Sequence, residues 1–206
     1  VTLSLLLGFF ITSLILAIAP GPDNIFVLLQ SAMYGSKSGL CVVLGLITGL
    51  VCQTIAAALG IAAVIAAMPV LFFGIRLAGA LYLMYLAYNA WMHPVNRFSD
   101  NSVNSGYIKL WRRGLIMNVT NPKVQIFFLA FFPQFIPKGM SSTDTVFLMI
   151  TLGFIFMIST ALVFGSVAVF SGALADRLRS DRFQLYLNRI SALIFVSLAI
   201  LTLVSG

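Results

Sequence analysis

The sequence predicts an all-α, polytopic membrane protein: six transmembrane helices arranged as two inverted three-helix repeats, with the first and fourth helices broken by proline. Three observations lead there. Hydrophobic residues make up 61% of the 206-residue chain and charged residues 8%, with a mean hydropathy of +1.07, a balance that excludes a soluble domain of this length. The apolar residues fall in continuous runs long enough for helices of about 20 residues to cross a bilayer. Lipid offers backbone groups no partner, so a spanning chain is helical or a closed barrel, and continuous rather than alternating runs favour helices. Finally, Ala19-Pro20-Gly21-Pro22-Asp23-Asn24 and Thr120-Asn121-Pro122-Lys123 interrupt two runs at matching places in the two halves. Paired interrupted helices near the membrane midplane mark the substrate sites of transporters.

The first run covers about 3–34. Ala17-Ile18-Ala19 has the look of a signal-peptide cleavage site, but no positive region precedes the long run and Pro20 would follow the cut directly. It is read as a retained span. Pro20 and Pro22, flanking Gly21, remove backbone donors and divide it into two half-helices. The second run, about 39–64, carries Cys41 and Cys52 without CxxC or metal-ligand spacing, and both are read as small buried hydrophobes. Its Gly45-xxx-Gly49 allows close helix approach and leaves a homodimer open. The third, about 69–92, bears Tyr82, Tyr85 and Tyr88 as a stripe suited to packing or interface anchoring more than to ligand contact.

His93, before Pro94, is read as solvated. A polar connector at about 94–109, with Asn101, Ser102, Asn104, Ser105 and Gly106, links repeat one (about 1–93) to repeat two (about 110–206). Three helices alone would not enclose a site, so residues 1–206 form a single transporter domain. The fourth run, about 110–137, holds Pro122 and is expected to divide as the first does. The fifth and sixth cover about 144–173 and 184–205.

The halves resemble each other in order. Pro22-Asp23 aligns with Pro122-Lys123, Leu44-Gly45-Leu46-Ile47 with Leu152-Gly153-Phe154-Ile155, and Arg76-Leu77-Ala78 with Arg189-Ile190-Ser191. Three spans per repeat force the copies into opposite orientations. Connectors one, three and five carry Lys37; Arg97, Lys109, Arg112 and Arg113; and Arg177, Arg179 and Arg182. Connectors two and four carry Lys138, with Arg76 near a helix end. By the positive-inside rule the odd connectors are cytoplasmic and both termini are extracytoplasmic, in a bacterial inner membrane. The net charge of +7 then reflects topology, and no nucleic-acid partner is expected.

Asp23 is the acid inside a span, where insertion costs about 2.5–3.5 kcal/mol and a retained charge faces a cavity or a partner. It suits an N-cap of the second half-helix, or a carboxylate that binds a substrate ammonium or carries a coupling proton. Lys123 lies too deep to snorkel easily. It suits a structural ion pair with Asp23, or a ligand for a substrate carboxylate. Opposed charges at the two breaks, with half-helix N-termini adding N–H donors, match a zwitterion such as an amino acid. Asn24, Asn118, Thr120 and Asn121 either line a wet cavity or satisfy backbone groups freed by proline. Gln53 and Thr54 either face the same cavity or bond between helices. No Ser/His/Asp set, metal cage or phosphate-cradling loop can be assembled, so neither catalysis nor a cofactor is expected.

At these residues the chain resembles the lysine exporter and homoserine/threonine resistance family (LysE/RhtB type) of bacterial amino-acid exporters. The resemblance rests on Pro20-Gly21-Pro22-Asp23, on Asn121-Pro122-Lys123-Val124-Gln125-Ile126-Phe127-Phe128 running into Phe132-Pro133-Gln134-Phe135, and on Gly79-Ala80-Leu81-Tyr82-Leu83. It implies an inner-membrane exporter of amino acids or derivatives, driven by protons through alternating access. Without glutamate and with one buried acid, a neutral substrate such as homoserine, threonine or leucine is favoured over lysine or arginine. An inorganic or metal ion exporter would want clustered oxygen, histidine or thiolate ligands, and a thiol-disulfide electron carrier would want cysteines on facing segments.

Overall fold

The computed structural model describes residues 2–19, 21–67, 69–92, 106–137, 139–171 and 180–204. Pro20, His93, Arg97, Lys138, Arg177, Arg179 and most of the polar connector lie outside them, as does the side chain of Arg76. The described chain is helical, with no strand among its residues.

Helix α1 (Leu3–Ile18) stops where the sequence requires it, because the residue before a proline is pushed out of the helical region; Ala19 has ψ 122°. Helix α2 (Pro22–Tyr34) restarts with proline at its first position, where a missing N–H costs nothing. The two are bent by 63°. Gly35, at φ 84°, ends α2 in a conformation that favours glycine and lets α3 (Ser36–Ala67) begin at the next residue. Helix α4 (Pro69–Met92) follows.

The second break repeats the first. Helix α5 (Tyr107–Thr120) yields to an extended Asn121 (ψ 108°), and α6 (Pro122–Ile126) opens again with proline. The bend is 48°. Here the expectation of a simple second half-helix needs correction: beyond α6 the chain winds as a π-helix (Phe127–Phe131) and then a 3-10 turn (Phe132–Phe135). Pro133 lacks the N–H that would bond back to Leu129, so the α-helical ladder cannot run through it. Helix α7 (Ser142–Val169) is capped by Ser141, whose Oγ accepts from the Asp144 N–H at 3.1 Å and donates to its Oδ2 at 2.7 Å. Helix α8 (Asp181–Val204) completes the described chain.

Among the described residues three helical stretches are long and apolar enough to span a bilayer: Ser36–Gly60, Ser142–Val169 and Arg182–Val204. Counting each bent pair as one span raises this to five. Their outward faces are apolar, as with Phe147, Ile150, Phe154, Ile158 and Leu162 along one side of α7. Tyr85 and Tyr88 also face outward, in keeping with an anchoring rather than a ligand role.

Packing brings α3 against both α5 and α7, α1 against α7, and α4 against α8. Gly45 lies under the Trp111 carbonyl of α5, Gly114 lies under the Val42 carbonyl of α3, and Gly49 receives the Asn118 side chain. The small-residue motif is therefore used within the chain. Gly153, paralleled with Gly45 in sequence, instead accommodates Thr54. Buried apolar residues form two clusters. The larger is built on Phe9, Phe127, Phe128, Phe131, Phe132 and Phe156 with the α4–α8 contact; the smaller contains Phe26, Val27, Val42, Leu46, Leu110 and Phe164.

Candidate functional site

The two breaks meet. At the C-terminus of α1 the last carbonyls have no helical partner and carry the negative end of the helix dipole. Three side-chain hydrogen bonds answer them. Lys123 Nζ donates to Ala19 O at 3.0 Å and to Leu16 O at 3.3 Å, and Asn24 Nδ2 donates to Ala17 O at 2.8 Å. The base of the second break thus caps the helix that ends at the first. Gly21 makes room for it: a Cβ there would stand 3.3 Å from Lys123 Nζ.

Asn121 joins the remaining parts. Its Oδ1 accepts from the Lys123 backbone N–H at 3.0 Å, capping α6, while its Nδ2 donates to Asp23 Oδ2 at 2.7 Å. Asp23 is 4% exposed, and its other oxygen, Oδ1, is buried without a hydrogen-bond partner. Two expectations change here. Asp23 occupies the first turn of α2 but does not cap it; Gly21 holds the cap position and no side chain bonds there. Nor do Asp23 and Lys123 make a direct ion pair, since no such contact within 4.0 Å is found among the described residues. Asn121 links the carboxylate to the Lys123 backbone, because a short amide can serve a helix cap and a carboxylate at once, while the Lys123 ammonium bonds the α1 carbonyls.

Asp23, Lys123 and Asn118 line a cavity of about 20 Å³ together with Leu16, Leu50, Val124, Phe156, Thr160 and Phe164. That volume admits one or two waters and no amino acid. The lining is polar at Asp23, Lys123 and Asn118 and mostly apolar elsewhere. Gln53 stands behind the polar lining, donating to Asn118 O at 2.8 Å and Oδ1 at 2.9 Å. It bonds between helices and does not line the cavity. Asn24 is likewise occupied by a backbone carbonyl, and Thr120 is exposed and bonded to Ile116 O at 2.8 Å, away from the site. Pro22 and Pro122 shape the half-helix starts and face away from the cavity.

Sequence reasoning missed the contribution of α7. Phe156, Thr160 and Phe164 recur every four residues and so share one face, but α7 carries other hydroxyls and phenylalanines at similar spacing. Only the packing against α3 selects this face. It also missed Arg113, whose guanidinium sits 4.3 Å from the Phe26 ring centroid and ties α5 to α2. The expectation that both cysteines are buried is corrected: Cys41 is half-buried and Cys52 exposed on α3, whose outward face is apolar and can carry such a residue.

Comparison with known proteins finds relatives over most of the chain. The LysE type translocator family model matches residues 14–206. A leucine efflux protein of Enterobacter sp. (strain 638) is 32% identical over 192 residues, 89% of this chain and 88% of that protein. A leucine efflux protein of Salmonella choleraesuis (strain SC-B67) is 32% identical over 143 residues, 68% of this chain and 66% of its own. The uncharacterized membrane protein YrhP of Bacillus subtilis (strain 168) is 28% identical over 207 residues, 96% of this chain and 97% of its own. No solved structure matches. With a family match across nearly its whole length, and apolar helices meeting at two proline-broken, oppositely charged segments, the chain is a multi-pass membrane protein that belongs to the LysE type translocator family.

Proposed function

We propose that this protein exports neutral amino acids or their derivatives, of the homoserine, threonine or leucine kind, across the bacterial inner membrane in exchange for protons. One observation carries the reading: a carboxylate from one broken span and an ammonium from the other line the same small cavity, and the carboxylate keeps one oxygen free. The relatives named leucine efflux proteins support it independently. In this mechanism the free Oδ1 of Asp23 takes either the substrate ammonium or a proton. Competition for one carboxylate is enough to couple the two: a proton arriving from outside displaces the amino acid there and returns inward in its place. Lys123 leaves the α1 carbonyls to meet the substrate carboxylate, aided by the N–H groups at the start of α6.

A cavity of about 20 Å³ must widen before an amino acid enters, so transport needs alternating access. The cavity is lined from both apolar clusters, by Leu16, Leu50, Val124 and Phe156 of the larger and Phe164 of the smaller, and loosening one while the other holds would open one side at a time. The six-span reading adds α4, which at 24 residues is about 36 Å long, to the three long helices and two bent pairs. The inverted repeat is supported by the packing: α3 lies on α5 as α7 lies on α1, and α3–α7 and α4–α8 pair with each other, as a two-fold exchange would require.

The test is efflux from bacterial cells expressing the chain and loaded with neutral, basic and sulfur-containing amino acids. Accelerated loss of neutral amino acids, collapsed by an uncoupler and absent in Lys123→Ala, is expected. No acceleration for any of them, with the protein present in the membrane, would reject the reading.

A further inference from the structure

The apolar lining of the cavity carries a finer statement about which side chain fits. Phe156, Thr160 and Phe164 form a stripe about 12 Å long on one face of α7, opposite Leu16 of α1 and Leu50 of α3. The two phenylalanines are held differently. Phe156 is wedged among Phe127, Phe128 and Phe132, with ring centroids at 5.0, 5.8 and 6.4 Å. Phe164 has no ring against it among the described residues, and its neighbours in the smaller cluster are mostly valines and leucines. One end of the stripe is therefore clamped by an aromatic cluster, and the other is a ring in a mostly aliphatic cluster that also holds Phe26.

We infer that Phe164 sets the size of the substrate side chain this protein accepts, with Phe156 as the fixed end of the same α7 stripe, and that the space facing this stripe takes branched aliphatic side chains. This rests on the exporter reading above. The reasoning is steric and electrostatic. Among the described residues Asp23 is the one acid lining the cavity, which offers no second acid for a basic side chain. The cavity also offers Leu16, Leu50 and Val124 as hydrocarbon contacts. Truncating the ring at position 164 enlarges the apolar side of the cavity, which favours a bulkier substrate side chain once the cavity widens.

The test measures leucine and phenylalanine efflux from the same loaded cells, for the native chain and for Phe164→Ala, Phe164→Leu and Phe156→Leu. The ratio of the two rates is independent of expression level. The ratio of phenylalanine to leucine efflux is expected to rise about tenfold in Phe164→Ala, less in Phe164→Leu, in line with the worth of a methylene or more in an apolar pocket. Phe156→Leu should move it less than either. An unchanged ratio in both Phe164 variants, with leucine still exported, would overturn this inference and leave the exporter reading intact. Loss of all export in both variants while they remain in the membrane would also overturn it, making Phe164 a packing residue. A native chain that exports neither amino acid would reject the exporter reading and this inference with it.

Discussion

Asn121 holds more of the site together than either charged residue. Its backbone makes the break, its Oδ1 caps α6 and its Nδ2 binds Asp23. Asn121→Ala should therefore cost about 1–2 kcal/mol for the cap and about 1–3 kcal/mol more for a buried carboxylate left without a donor. The check is a lowered thermal unfolding midpoint in detergent, accompanied by reduced efflux. Asp23→Asn should behave differently, because an amide oxygen still accepts from Asn121. The variant is expected to fold at near-native stability and to lose efflux driven by a pH gradient, since no group remains at that position to take up and release the proton. Full gradient-driven efflux by Asp23→Asn would remove Asp23 from the coupling step. At this scale the sequence exposed the charges but not their partners. Lys123 was legible as a deep base, yet its bonds to Leu16 and Ala19 connect residues more than a hundred positions apart, and no local pattern encodes such a contact.

At the scale of elements, the proline breaks were readable to within a few residues, because proline and the residue before it are constrained by covalent geometry alone. The π-helix and 3-10 turn after α6 were not, although Pro133 was visible: which irregular winding follows depends on how Phe127, Phe128, Phe131 and Phe132 pack against Phe9 and Phe156. The glycines divide sharply. Gly114 lies against the Val42 backbone at the α3–α5 crossing, whereas Gly165 on α7 faces open space. Gly114→Ala should destabilise by about 1–3 kcal/mol, because a carbonyl cannot step aside as a side chain can. Gly165→Ala should be neutral or stabilising by up to about 1 kcal/mol, through helix propensity. Thermal unfolding of both variants side by side in one detergent checks the contrast, and equal effects would mean that the α3–α5 contact is looser than described.

At the scale of the whole molecule, the buried apolar residues form two clusters, and apolar faces cover the outside. The proposed orientation, with the α2–α3 turn and the start of α5 in the cytoplasm, is testable in a chain whose Cys41 and Cys52 are replaced by alanine. An impermeant maleimide added to intact cells should label Ser142→Cys, at the exposed start of α7, and label Lys109→Cys only after the membrane is opened. The reverse pattern would invert the topology. By itself the sequence determined the helical class, the positions of the helix ends and the two charged breaks. These follow from hydrogen-bond satisfaction in lipid, from proline geometry and from the cost of burying charge, all of which act over a turn or two of chain. Only the tertiary structure decided that Asn121 bonds Asp23, that Lys123 caps α1, and that one face of α7 walls the cavity. Those depend on which of several chemically similar faces pack together, a choice made by side-chain shape across distant segments rather than by residue type along the chain.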